Sequence, residues 1–231
     1  MNTPMTNNFA VALDGPSGAG KSSVAKAVAS RLGILYVDTG AMYRAIGLAV
    51  LRQGIGEDDT AGIVHTLPGL SVALRHAVDG QHVLLNGKDV SGEIRTGQAA
   101  QYASKVSAVP EVRAFLLDTQ RALAREQSVI MDGRDIGTVI LPDAEVKIFL
   151  TARPEARAKR RYQELAARGE PVTLESVLAD IERRDEQDRN RPIAPLRQAG
   201  DAVLLDNSSL DLEGTIREVL RIISEKTGVH S

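Results

Sequence analysis

The sequence predicts an α/β fold: a five-stranded parallel sheet with helices on both faces, interrupted by a small antiparallel sheet. Three observations carry this expectation. Five short apolar runs, at residues 9–14, 34–38, 128–132, 146–150 and 202–206, alternate with stretches of helical periodicity. The first run opens onto Gly15-Pro16-Ser17-Gly18-Ala19-Gly20-Lys21-Ser22, which fits G-x-x-x-x-G-K-[ST] and leads into a helix. At about residues 70–95, short extended runs are parted by the turn dipeptides Asp79-Gly80 and Asn86-Gly87, the signature of an inserted meander.

Each element follows from its own pattern. Phe9-Ala10-Val11-Ala12-Leu13-Asp14 is apolar up to its last residue, as a strand covered on both faces must be. Val24, Ala27, Val28 and Leu32 then recur at helical spacing until Gly33 supplies a stop. Ile34 to Asp38 is the second strand, and Met42, Ala45, Ile46, Ala49 and Val50 mark a second helix running to Gly54. Residues 57–69 are polar and read as a helix or loop. The meander's extended runs are 71–76, 81–85 and 88–94. Two helices follow at 96–109 and 110–127, with Pro110 suited to a first helical position. Residues 154–168 form a strongly basic helix ended by Gly169, and Thr173 caps another that reaches about Asn190. Residues 211–226 close the chain as an amphipathic helix.

Composition narrows the function. At 231 residues the chain is long enough for a sizeable core, and with 3% aromatics that core must be built from Ala, Val, Leu and Ile. A net charge of −2 argues against broad nucleic-acid binding. The absence of cysteine excludes a disulfide framework and thiolate-ligated metal. No run approaches the ~18 apolar residues of a membrane span, and the first eight residues lack a signal-peptide core. The protein is therefore expected in the cytoplasm, with those eight residues frayed and with no membrane or nucleic-acid partner. His65, His76, His82 and His230 show no ligand spacing and receive no role.

In an open parallel sheet the ligand sits at the carboxyl ends of the strands. Those ends carry Asp14, Asp38-Thr39, Asp132-Gly133-Arg134-Asp135 and Thr151. The glycine loop, from Gly15 to Ser22 and on to Ser23, is a phosphate cradle, since its backbone N–H groups turn inward around oxygens at a helix N-terminus. The expected ligand is a nucleoside triphosphate. Lys21 is expected to reach its terminal phosphates, and the Ser22 hydroxyl to ligate Mg²⁺, with Asp132 holding the same ion through water. The guanine-reading N-K-x-D element is missing; Asn86-Gly87-Lys88-Asp89 is out of order and lies in the meander.

Arginine is abundant in particular places. Arg44 and Arg134 follow strand ends; Arg157, Arg160 and Arg161 share or border one face of the basic helix; Arg184, Arg189 and Arg191 flank Asp185 and Asp188. Phosphoryl transfer needs charge neutralisation and alignment, and guanidinium forks supply both. Taken singly, arginines on a helix such as 154–168 are as often a solvated face as a catalytic lid.

Together with the phosphate loop, four further blocks resemble the bacterial cytidylate kinases, P-loop nucleoside monophosphate kinases. They are Asp38-Thr39-Gly40-Ala41-Met42-Tyr43-Arg44, Val90-Ser91-Gly92-Glu93-Ile94-Arg95, Asp132-Gly133-Arg134-Asp135-Ile136-Gly137-Thr138-Val139, and Arg183-Arg184-Asp185 with Asp188-Arg189-Asn190-Arg191. The resemblance implies transfer of phosphate from ATP to CMP or dCMP with Mg²⁺. It also implies one P-loop kinase domain over 1–231 in three parts. The core is 9–38, 110–152 and 200–227; the monophosphate-binding region is 39–109; the lid and following helix are 153–191. A monomer is expected.

By the same resemblance, Ser104, Arg113 and Asp135 match positions that contact cytosine, Arg184 and Asp188 lie near the ribose, and Arg44, Arg134 and Arg191 grip the monophosphate. Thr39 and Tyr43 belong to the same acceptor set. Catalysis is expected from Lys21, Arg134, Asp132 and the lid arginines Arg157 and Arg161. Two positions depart from the family pattern: Ser22-Ser23, where Gly-Thr or Ser-Thr is common, and Thr39, where serine is common. Two other readings of these residues stay open. One is a kinase acting on UMP, AMP or a phosphate-free acceptor; the other is a nucleotide-dependent switch with a protein or RNA partner.

Overall fold

A computed structural model of the chain describes residues 8–77 and 80–229. The chain folds as two compact units: Met1–Tyr36 with Ala124–Ser231, and Val37–Leu123.

The first unit is built on strands β1 (Ala10–Asp14), β6 (Val129–Gly133), β7 (Val146–Thr151) and β8 (Val203–Asp206). With β2 (Leu35–Asp38) at the edge they form a five-stranded sheet in the order β2-β6-β1-β7-β8. Its parallel register pairs Leu13 with Asp132 and with Ile148, and Thr151 with Asp206. β1 is buried at all five positions, the consequence of lying mid-sheet with both faces covered. From β1 the chain leaves to β2 beyond β6, and from β6 it returns to β7 on the far side of β1. The order thus reverses at the ends of β1 and β6, a topological switch point where ligands bind.

Helices α1 (Lys21–Leu32) and α8 (Leu212–Thr227) cover one face, Val24 and Val28 meeting Val11, Leu13, Ile130 and Val219 in one core cluster. Gly33 ends α1 in the left-handed region, its N–H on Ala29 O. The Asp211 carboxylate caps α8 on Gly214 N. Helices α6 (Pro154–Ala167) and α7 (Leu174–Asn190) pair through Ala158, Leu165, Val177 and Ile181. Thr173 opens α7 with a reciprocal capping box to Ser176.

The second unit holds α2 (Thr39–Arg52), α3 (Thr60–Thr66), strands β3 (Val72–Ala77), β4 (Gly80–Leu85) and β5 (Lys88–Asp89), and helix α4 (Gly97–Val106). Its strands form an antiparallel sheet, β3-β4-β5. Most of α5 (Pro110–Glu126) belongs here and not to the first unit, because Val112 and Leu116 pack into the core of Met42, Ile46, Ile63 and Val83. Gly47 allows α2 and α4 to touch: a Cβ there would lie 2.9 Å from Tyr102 Cβ and 3.1 Å from Ala103 N.

Two details differ from expectation. The third meander run, expected over 88–94, is a strand only at Lys88–Asp89. One more backbone bond follows, Val90 N to Val83 O at 2.9 Å, and then side chains take over: Asp89 accepts from Ser91 N and Ser91 Oγ accepts from Val83 N, each at 2.9 Å. A π-helical turn at Ile136–Ile140 has no counterpart in the sequence reading. Of the eight residues expected to fray, Asn8 donates to Glu126 O at 3.3 Å and the others lie outside the described residues, as does Asp79 of the first turn dipeptide. No helix among the described residues is long and apolar enough to cross a membrane.

Candidate active site

The loop between β1 and α1 is set by its first glycine. Gly15 has φ 149°, and an added Cβ would stand 1.9 Å from Leu150 O of β7. The loop therefore runs against the neighbouring strand's backbone, which only glycine permits. Gly18 and Gly20 also take positive φ, 75° and 88°, and α1 begins at Lys21.

Lys21 is buried, with Nζ donating to Pro16 O at 2.8 Å. Burial, with Arg134 acting in the same direction, lowers its pKa to about 7 against the pull of Asp132, Asp188 and Asp14. On the next residue, Ser22 Oγ donates to Asp132 Oδ2 at 2.9 Å. Tyr36 hydroxyl donates to the other oxygen, Oδ1, also at 2.9 Å. Sequence reasoning missed Tyr36, whose place inside an apolar strand run read as core.

The stretch after β6 is held from beneath by Asp14. Its two oxygens accept from Ile136 N and Gly137 N, each at 2.8 Å. Burial dominates and raises Asp14 to about 6 despite those two bonds. Asp14 stood at a strand end in the sequence but carried no assigned task; nothing before folding says that it faces residues 136–137, more than a hundred positions away.

Arg134 and Asp188 form the principal ion pair of this region, Nε to Oδ2 at 2.7 Å. Burial opposes both charges. Asp188 nonetheless holds Arg134 above its ordinary value, and Arg134 holds Asp188 below the usual carboxylate range. Burial lowers Arg184, opposed by Asp180 and reinforced by Arg134. Arg191 lies 3.8 Å from Asp135 and 4.0 Å from Asp188, its Nε donating to Ala194 O. The first unit therefore gathers Lys21, Ser22, Asp132, Arg134 and Asp188, with Asp135 and Arg191 paired beside them.

The lid arginines separate in an unexpected way. Arg161 is exposed and pairs with Glu164 at 3.1 Å, as a lid arginine can. Arg157, expected as a catalytic lid residue, lies inside the first unit and not at its surface. It is 2% exposed, and its guanidinium bonds Ala152 O, Ser17 O and both oxygens of Asp185, the shortest at 2.6 Å. Four of its five N–H groups are thus spent on partners inside the first unit.

In the second unit, Asp38 caps α2 on Ala41 N at 2.8 Å and receives Arg44 at 2.8 Å. Thr39 and Tyr43 are buried on the same helix. Arg113, buried near the start of α5, donates to Ser107 O at 3.2 Å and lies 5.8 Å from the centre of the Tyr43 ring. Ser104 is half-buried on α4, its carbonyl accepting from Ser107 Oγ. The predicted acceptor residues are thus divided: Thr39, Tyr43, Arg44, Ser104 and Arg113 in this unit, and Arg134, Asp135, Arg184, Asp188 and Arg191 in the other.

Comparison with known proteins adds three findings. The family model described as Cytidylate kinase matches residues 11–225. Cytidylate kinases of Geobacter sp. (strain M21) and Rhodococcus opacus (strain B4) are 49% and 48% identical to the chain, covering 98% and 97% of it and 97% and 98% of their own lengths. A solved structure of an uncharacterized protein from Eubacterium ventriosum matches with a TM-score of 0.52 at 13% identity, covering 95% of this chain and 99% of its own. That last likeness speaks for the fold alone.

Proposed function

This chain belongs to the cytidylate kinase family, and we propose that it transfers the γ-phosphate of ATP to CMP or dCMP, giving ADP and CDP or dCDP. The observation that carries the reading is the Ser22–Asp132 contact at 2.9 Å, which sets a hydroxyl and a carboxylate side by side at the end of the phosphate loop, next to Lys21. Two hard oxygen donors suit Mg²⁺, which takes most of its remaining ligands from phosphate and water. When bound, the ion would neutralise charge on the phosphates.

The protein's own groups do the rest. Loop amides and Lys21 hold the donor phosphates, Lys21 exchanging Pro16 O for phosphate oxygen. The attacking CMP oxygen is already anionic, so no general base is required. Arg134 and Arg161 offset the charge that develops on the transferred group, and closure of the 154–168 lid excludes water. Arg44 and Arg191 hold the acceptor phosphate. Ser104, Arg113 and Asp135 read cytosine, Asp135 accepting from the N4 amine that uracil lacks. Arg184 and Asp188 meet the ribose, while Thr39 and Tyr43 line the acceptor side.

A coupled ADP-release assay over CMP, dCMP, UMP, AMP and GMP tests this. Stimulation by CMP and dCMP is expected; stimulation by AMP and not by CMP would overturn the substrate.

A further inference from the structure

A phosphate cradle poses a problem on its far side. Amides that turn toward an anion drive their carbonyls the other way, here into the interior of the first unit. A carbonyl buried without a donor is destabilising. Three demands of this kind are met by three separate side chains. Pro16 O accepts from Lys21, Ser17 O from Arg157 Nη1 at 2.9 Å, and Ala19 O from Asn207 Nδ2 at 3.0 Å. The lysine is motif chemistry. The other two donors come from α6 and from the turn after β8, and neither belongs to the motif.

Both donors are themselves fixed. Arg157 is locked by Ala152 O and by a two-pronged bond to Asp185, which is 1% exposed. Gly18 lets the loop settle onto this pair of helices: a Cβ there would meet Arg157 Cβ at 3.3 Å and Ile181 Cδ1 at 3.6 Å. The Asn207 amide has one permissible orientation. Its oxygen accepts from Arg160 Nη1 at 3.1 Å, so its nitrogen must face Ala19 O, with Thr215 Oγ1 as second acceptor at 3.4 Å. Arg160 also donates to Asn207 O at 2.6 Å, pinning the backbone.

We propose that Arg157 and Asn207 are positioning residues for the donor nucleotide: they hold the carbonyls of Ser17 and Ala19 so that the loop's amides stay turned toward the phosphates. Without either donor, a carbonyl must rotate toward water and carry its peptide plane with it. The cradle then loses an aimed N–H although no side chain that touches phosphate has changed. This inference rests on ATP binding in that loop, and so on the reading above, but not on the identity of the acceptor.

The test is calorimetric binding of a non-hydrolysable ATP analogue with Mg²⁺ to the full chain, alongside steady-state kinetics with ATP and CMP. Asn207→Leu, near in volume and unable to donate, should weaken the analogue about 10-fold and raise KM for ATP similarly, with KM for CMP within about 2-fold. Asn207→Gln, which keeps the donor, should recover part of the loss, while Asn207→Asp should not. Arg157→Gln should behave like Asn207→Leu if it folds; if it does not, the Asn207 series decides alone. Unchanged analogue affinity in folded Asn207→Leu overturns the proposal, as does an equal rise in both KM values. If Arg157→Gln lost turnover at full analogue affinity, direct contact with the moving phosphate would replace the positioning role. Absence of CMP phosphorylation by the unaltered protein, with analogue binding intact, would count against the acceptor and leave the loop clamp standing.

Discussion

On the function proposed above, the phosphate loop and helices α2 and α5 of the second unit would hold their ligands with different materials. In the loop the ligand-facing groups are backbone amides. On the proposal above their direction is set by carbonyls tied down to Arg157 and Asn207, and by a glycine pressed against Leu150 O. On α2 and α5 the proposed groups are side chains with nearby partners: Arg44, for the acceptor phosphate, on Asp38 six residues back, and Arg113, for cytosine, on Ser107, also six back. A backbone cradle cannot be adjusted without moving the fold. A guanidinium can exchange one partner for another at the cost of one bond. A substitution should therefore be punished through the fold at the loop and through turnover or local packing elsewhere.

The largest effect is expected at Gly15→Ala. The new Cβ would meet a backbone oxygen at 1.9 Å in a conformation L-residues rarely adopt, so β1 or β7 must move. A loss of more than about 3 kcal/mol in chemical denaturation, with no detectable ATP binding, is expected; near-normal stability would erase the contrast with the side-chain site. Next comes Arg134→Ala, which should lower kcat by roughly 10²–10³ while leaving the circular dichroism spectrum unchanged. Turnover equal to the unaltered protein would remove Arg134 from the mechanism.

Asp14 sharpens the comparison through pH. Its folded value of about 6 lies above the ordinary 3.8, so the folded protein keeps a proton that the unfolded chain has released. Its contribution makes stability fall as pH rises from about 4 to about 6, by at most about 3 kcal/mol, and stay level above that. Denaturation curves of Asp14→Asn should lose this slope; an unchanged slope would assign it to other carboxylates. The smallest effect is expected at Gly47→Ala in the second unit. Crowding Tyr102 there should cost about 1–2 kcal/mol and leave affinity for an ATP analogue within about 2-fold.

Much of this was readable before folding because it depends on residues close together in the chain. Residues 9–38 announce strand, loop, helix and strand through apolar runs and glycines, and Gly33 stops α1 where the pattern says it should. Asp211 and Thr173 cap their helices three residues upstream of the amides they bind. The third meander strand shows the limit at short range. Asp89 and Ser91 satisfy backbone groups with side chains, and alternation alone cannot foresee that competition.

The chain's own order of residues determined the donor loop, the alternation of strands with helices, the inserted sheet and the family. These depend on periodicities and motifs a few residues long. Only the tertiary structure decided which arginines are buried and which reach solvent. Arg157 and Arg161 lie one turn apart on one helix, yet one is sealed against Asp185 and the other reaches solvent beside Glu164. Burial of a helix face is set by what packs on it, and the partners of Ser17 and Ala19 arrive from 140 and 188 residues away.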